Sequence, residues 1–301
     1  MPVMYLERFG KRSSSKATPR VHVIDRTSSE STGRTAGVRD VAAEVDFYRM
    51  KAADPAHDYD GEHLMGVFET AAGPAFRALD RQKRSLLDEI DRFHLSAFMA
   101  LQFVRGPDSV RFSEQILTRI TLMAAHVYAA NDEALSALVK DMGDEPTAEA
   151  VAEARQALAR VDHNMRVVPD RGSVVRNMFQ SAEEFVRYFF MRRWTILRSR
   201  SPFVTCDRPI VLYQAPETRR TGVGVGLATA DVILYPVDRY CALAMRHPAQ
   251  DHKEGVVDVS AEQVAALNKS IAHSADRWVF HHPDDAPFAT SPLPGRTPPR
   301  G

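Results

Sequence analysis

The spacing of hydrophobic residues changes along this 301-residue chain near Trp194. From Glu62 to about Val161, apolar residues recur with the spacing of amphipathic helices. From Trp194 onward they fall in short runs rich in β-branched and aromatic residues, which indicate strands. A helical segment followed by a strand-rich segment predicts an α+β fold.

We expect a helical layer at about 60–160 to pack on a mixed β-sheet built mainly from the C-terminal half, joined by a strand at Val21–Asp25. A chain of this length fits one large domain or two small ones. We predict a single α+β domain over residues 1–282, with a helical subdomain at about 60–160. Residues 283–301 are rich in proline and are predicted to form a disordered tail.

The composition excludes several classes of protein. Lys plus Arg and Asp plus Glu both number 39, so the net charge is zero and there is no strong nucleic-acid signature. The two cysteines lie far apart and offer neither a disulfide framework nor a zinc site. Because the sequence has no apolar signal core and no membrane-spanning run, we expect a soluble cytoplasmic protein.

The first predicted helix, Glu62–Leu79, carries a carboxylate at the edge of its apolar stripe. Glu69 has Met65, Ala72 and Phe76 as its helical neighbours. Pro74 follows one turn later and predicts a kink or a break there. Glu69 is either a site residue or a side chain that reaches solvent or pairs with an arginine, whereas Glu62 is expected to be solvated.

The second predicted helix, Arg84–Arg105, carries a polar line formed by His94, Gln102 and Arg105. This line is positioned to face Glu69 across an antiparallel helix pair. Arg105 is either a partner for a carboxylate or phosphate, or a helix-end arginine favoured by the C-terminal dipole. We predict that the buried face of this helix consists of Leu86, Ile90, Phe93, Ala97, Leu101 and Val104.

A turn at Thr205–Pro209 separates two strand-like runs, Trp194–Leu197 and Ile210–Tyr213. Within it, Asp207 is either a turn-former that binds backbone N–H groups or a carboxylate at a strand end that faces a pocket. Cys206 is interpreted as a small buried hydrophobe, because no histidine lies near it in the sequence.

Three further local patterns are two capping boxes and one histidine pair. Ser181 with Glu184, and Ser260 with Gln263, have the spacing of a capping box and each predicts a helix start. The pair His281-His282 adjoins a strand end, and we discount it as a metal site because adjacent strand residues point to opposite faces.

Several blocks together resemble the bacterial family called domain of unknown function 4238. The clearest block is Trp194 followed after a spacer by Phe203-Val204-Thr205-Cys206-Asp207-Arg208-Pro209. The other similar blocks are Met1–Phe9 with its Tyr5-Leu6, Glu44-Val45-Asp46-Phe47-Tyr48, Ile233-Leu234-Tyr235-Pro236, Cys241–Met245 and Leu267-Asn268.

The match runs from Met1 to about His282, and its strength lies in the order of the blocks. Members of the family usually carry a histidine pair before the first proline, which this sequence lacks ahead of Pro2. They also have serine where Cys206 stands, which argues against an obligatory serine nucleophile. Gln102 and Arg105 match polar positions of the family's helix, and the resemblance implies no established activity.

Three functions are compatible with these residues. The first is a hydrolase-type enzyme, in which the catalytic carboxylates Glu69 and Asp207 serve a divalent metal or general acid–base chemistry. Arg105 would hold a phosphate or carboxylate, as in a phosphate-containing substrate. The second is a non-catalytic module that binds a small anionic ligand or a partner through Arg105, Gln102, Tyr5 and Tyr48. The third is a structural Glu69–Arg105–Asp207 network. The sequence identifies no cofactor, metal or partner protein, and whether the protein is an enzyme stays open.

Overall fold

The computed structural model describes residues 1–27, 33–42, 60–81, 86–105, 107–160, 171–218, 224–289 and 293. The chain divides into two compact units. The larger unit consists of Met1–Gly106 and Val175–Gly301, and the helical unit consists of Pro107–Val174. The expectation of one domain over residues 1–282 with a disordered tail at 283–301 stays a prediction.

The helices of the larger unit include the predicted hairpin. They are α1 (Val3–Leu6), α2 (Val38–Ala42), α3 (Asp60–Arg81), α4 (Glu89–Val104), most of α8 (Arg171–Phe190) and α9 (Ala261–Ser274). A 3₁₀ turn, Glu7–Phe9, continues α1. The predicted helices at 62–79 and 84–105 are thus confirmed, with boundaries shifted by a few residues.

Three local predictions have clear outcomes. α3 runs through Pro74 without ending, so of the predicted kink or break the break does not occur. Ser260 and Gln263 form both hydrogen bonds of a capping box at the start of α9, as predicted. Ser181 and Glu184 instead lie inside α8, so the helix start predicted there is wrong.

The strands form two sheets. The first has the order β2 (Arg34–Gly37), β1 (Arg20–Asp25), β9 (Trp278–His281) and β4 (Thr205–Cys206), with antiparallel pairing throughout. The second has the order β5 (Val211–Tyr213), β6 (Val232–Asp238), β7 (Cys241–Arg246), β3 (Arg193–Arg198) and β8 (Gly255–Asp258). In the second sheet β3 and β8 are parallel and the other pairs are antiparallel. The α+β class is confirmed, but the strands are divided between two sheets.

The core of the larger unit lies where α3 and α4 meet the sheet strands. From α3 it receives Met65, Ala72, Ala75, Phe76 and Leu79, and from α4 it receives Leu95, Phe98, Leu101 and Val104. The predicted buried face of α4 is correct only in its C-terminal half. Ile90 and Phe93 are 69% and 51% exposed, so burial of this helix begins near Leu95.

The helical unit contains α5 (Pro107–Ala129), α6 (Asp132–Asp141) and α7 (Ala148–Ala159). Asn131 caps α6 by accepting two backbone N–H bonds, and Thr147 caps α7 by accepting one. Of the helices in the described part of the chain, none is long and apolar enough to cross a membrane.

Candidate functional site

The hydroxyl of Tyr5 joins three distant parts of the chain. It donates a 2.7 Å hydrogen bond to the carbonyl oxygen of Pro236 and lies 2.7 Å from Thr205 Oγ1. Because a phenol has one proton, the Thr205 hydroxyl must donate to Tyr5. Burial raises the pKa of Tyr5 well above its ordinary value. The buried Tyr5 therefore ties α1 to the Thr205 turn and to β6.

Aromatic rings surround Tyr5 and fix its position. Tyr235 stacks on it with ring centres 5.4 Å apart, and Phe9 meets it edge-on at 5.5 Å. Phe98 of α4 lies 6.4 Å away, and Phe98 in turn packs edge-to-face on Phe76 of α3 at 5.3 Å. These contacts connect α3 and α4 to β6 through the ring of Tyr5.

Polar atoms without partners lie next to this aromatic group. Gln102 follows Phe98 by one helical turn and is only 5% exposed. Its Nε2 and Oε1 atoms are buried and have no hydrogen-bond partner among the described residues, and the same holds for Arg105 Nη2 and the Tyr235 hydroxyl. We call Gln102, Arg105 and Tyr235 the Gln102 cluster. Such atoms are costly to bury unless something else binds them.

Electrostatics link two members of the Gln102 cluster. Burial raises the pKa of Tyr235 well above its ordinary value, and the neighbouring Tyr5 adds to the increase. The guanidinium of Arg105 acts in the opposite direction and lowers the pKa of Tyr235. The charge of Arg105, the C-cap residue of α4, therefore interacts with the buried Tyr235 hydroxyl of β6.

Glu69 lies on the buried face of α3. Its helical neighbours Met65, Ala72 and Phe76 are at most 5% exposed, whereas Glu69 itself is half-buried. Residues 82–88 connect α3 to α4, and so short a connection makes the two helices antiparallel. Glu69 precedes Phe76 by about two turns, and Arg105 follows Phe98 by about two turns. In an antiparallel pair with Phe76 against Phe98, this spacing predicts similar levels for the two charges.

Asp207 is bound by backbone groups on both carboxylate oxygens. Oδ1 accepts the N–H of Asp276 at 2.8 Å, and Oδ2 accepts those of Arg277 and Trp278 at 2.7 and 2.9 Å. Burial raises the pKa of Asp207, while these three hydrogen bonds oppose the increase. The side chain thus fastens the end of β4 to the segment that opens β9.

The thiol beside Asp207 has a similar structural setting. Cys206 is fully buried, and its Sγ donates to the carbonyl oxygen of Arg208 at 3.1 Å. Burial raises the pKa of Cys206 to about 12. A thiol that stays protonated is a poor nucleophile, which agrees with its interpretation as a small buried hydrophobe.

Two further residues of the resembling blocks hold the fold together. Asn268 accepts the N–H of Val204 at 3.0 Å and donates to the carbonyl oxygen of Pro202 at 2.9 Å. Arg8 donates to the carbonyl oxygen of Val237 at 3.0 Å and forms ion pairs with Asp80 and Asp238. Asn268 therefore joins its block to the segment that precedes β4, and Arg8 joins the N-terminal block to β6.

The predicted site residues divide into two groups. Tyr5, Gln102 and Arg105 lie around one aromatic group, with Glu69 on the facing helix, whereas Asp207 is engaged by residues 276–278. Tyr48 lies outside the described residues. Sequence reasoning missed Tyr235 as a member of the site, although it lies in one of the resembling blocks. Within the described ranges, no group of three or more His, Cys, Asp or Glu side chains is arranged to hold a metal ion.

Comparison with protein families supports the order of the blocks. A family model described as Protein of unknown function (DUF4238) matches residues 1–285. Comparisons with curated proteins and with solved structures gave no match. Because the family model covers nearly the whole chain, the protein belongs to the DUF4238 family.

Proposed function

We propose that the protein binds a small anionic ligand at the Gln102 cluster. The observation that carries this proposal is the Gln102 side chain, which is 5% exposed and has both amide atoms unpartnered among the described residues. A buried amide without hydrogen-bond partners destabilises the folded state, and such groups are rare in native proteins. A ligand that accepts from Nε2 and donates to Oε1 would offset this cost.

The positive charge of Arg105 favours an anion. Gln102 Nε2 and Arg105 Nη2 each have a proton to donate, and a phosphate or carboxylate oxygen accepts such bonds. The carboxyl end of α4 repels an anion, because helix C-termini carry partial negative charge. Recognition therefore depends on the Arg105 guanidinium, and neutralising it should abolish binding.

Hydrolysis of a phosphate-containing substrate is the second candidate. The positions of Glu69 on α3 and Arg105 on α4 favour this proposal, because their spacing predicts similar levels along the two helices. The Glu69 carboxylate could then act as a general base beside a phosphate bound by Arg105. In this proposal Asp207 contributes to stability rather than to chemistry, because three backbone N–H groups bind its oxygens. Glu69→Gln would then abolish turnover while leaving ligand binding in place.

A thermal-shift panel tests the binding proposal. The proteins are the wild type, Arg105→Gln and the control Arg77→Gln, which changes an exposed arginine of α3. Each is melted with inorganic phosphate, sulfate, citrate or a nucleoside monophosphate. We expect at least one anion to raise the Tm of the wild type and of the control but not that of Arg105→Gln. Equal shifts in all three proteins, or no shift with any anion, would contradict the proposal.

A further inference from the structure

Two histidines from opposite ends of the chain face each other across the first sheet. His22 of β1 and His281 of β9 are directly opposed in the antiparallel register. Their ring centres are 4.6 Å apart, with 35° between the ring planes. Directly opposed side chains share one face of a sheet, so both rings project to the same side.

The pair lines an open cleft. His22, His281 and Asp285 contribute polar groups to a cavity of about 220 Å³, and the remaining lining is mostly apolar, with Pro283 and Phe288 among its members. Asp285 is held in an ion pair with Arg239, whose Nε lies 2.9 Å from Oδ2. The imidazoles are therefore the groups in this cleft that are best placed to bind a small ligand.

The ring of His281 has a defined tautomer. Its Nδ1 lies 2.9 Å from the carbonyl oxygen of His282, and because a carbonyl oxygen only accepts, Nδ1 carries the proton. The lone pair is therefore on Nε2. Metal-binding histidines in proteins are commonly oriented in this way, with the other ring nitrogen donating to a backbone carbonyl. The ring of His22 packs with its Nε2 and Cδ2 edge against Gly33, which leaves Nδ1 as its available ligand atom.

The spacing of the two rings can be compared with the geometry of a metal site, in which neutral imidazole is the ligand. Two imidazoles bound to one ion at about 2.1 Å, with an angle of about 90–110° between them, have ring centres roughly 4.5–5.3 Å apart.

We propose that His22 and His281 form a cross-strand binding site for a divalent transition-metal ion. The ring separation of 4.6 Å agrees with chelation of one ion. Nitrogen ligands favour Cu²⁺, Ni²⁺ and Zn²⁺ over Mg²⁺ and Ca²⁺. Two protein ligands leave the remaining coordination positions to water or to an exchangeable ligand that enters through the cleft.

Titration calorimetry with Ni²⁺ on protein without a histidine tag tests this site. The variants are His22→Phe and His281→Phe, which keep an aromatic ring but remove the nitrogen ligands. Because the chain has 11 histidines, His273→Phe on the exposed face of α9 serves as the matched control. His22→Gln, at the more accessible position of the pair, replaces either variant that fails to fold.

The proposal predicts one Ni²⁺ bound per chain in the wild type and in the control. It predicts at least a tenfold loss of affinity in each variant of the pair, and no response to Mg²⁺. The electron paramagnetic resonance spectrum of the Cu²⁺ form should show nitrogen coordination that is lost in His22→Gln. Unchanged Ni²⁺ affinity in the His22 or His281 variants, or no Ni²⁺ binding by the wild type, would overturn the proposal.

Discussion

The hydroxyl oxygen of Tyr5 lies 2.7 Å from Oγ1 of Thr205, although 200 positions separate the two residues in the chain. Both residues are fully buried. The same hydroxyl donates to the carbonyl oxygen of Pro236, so one side chain near the start of the chain connects β4 with β6. The three segments belong to three of the sequence blocks that indicate the family.

Tyr5→Phe should destabilise the protein by about 1–3 kcal/mol, because it leaves the buried Thr205 hydroxyl and the Pro236 carbonyl oxygen without their shared partner. Chemical denaturation of Tyr5→Phe, Thr205→Val and the double variant measures the coupling between the two side chains. We expect the double variant to be more stable than the sum of the single effects implies. Strict additivity would show that the Tyr5–Thr205 hydrogen bond contributes nothing.

Asp207→Asn should lower the free energy of unfolding by about 2–3 kcal/mol, because a charged acceptor of three backbone N–H bonds is replaced by an amide with one oxygen. Asp258→Asn, which changes an exposed carboxylate on β8, is the control and should have little effect. Melting curves of both variants provide the measurement. If Asp207→Asn melts like the wild type but no longer responds to a stabilising anion, Asp207 belongs to the ligand site instead.

The two thiols of the chain should be unreactive in the folded state. Burial raises the pKa of Cys206 and of Cys241 to about 12 in each case, and both residues are fully buried. Alkylation with iodoacetamide at pH 8, followed by mass spectrometry, should therefore modify neither cysteine in native protein and both after denaturation. Rapid modification of Cys206 in the native protein would revive its candidacy as a nucleophile.

Sequence patterns predicted the helices and strands more accurately than they predicted the tertiary contacts between them. The capping boxes at Ser260 and Ser181 have similar spacing, yet only Ser260 starts a helix. Ser181 lies within a segment that is already helical from Arg171, so its hydroxyl is not needed at a helix end. Local spacing cannot distinguish these two situations, because the preceding turn decides whether a cap is required.

The candidate site was predictable in part. Helical geometry alone placed Gln102 and Arg105 on one line and Glu69 on the facing helix. The same reasoning could not find Tyr235 or the His22–His281 pair, because sheet register joins residues that are far apart in sequence. It also left both roles of Asp207 open, since the three N–H groups that bind it come from residues about 70 positions later.

The free energy of unfolding of Gln102→Leu, measured with and without inorganic phosphate, tests the central claim most directly. Without phosphate the variant should be as stable as the wild type or about 1 kcal/mol more stable, because leucine removes a buried amide that has no partner. Phosphate at about 100 times its Kd should stabilise the wild type by about 2.7 kcal/mol and leave the variant unchanged. A variant that is clearly less stable without phosphate, and gains as much from phosphate as the wild type does, would contradict a ligand site at Gln102.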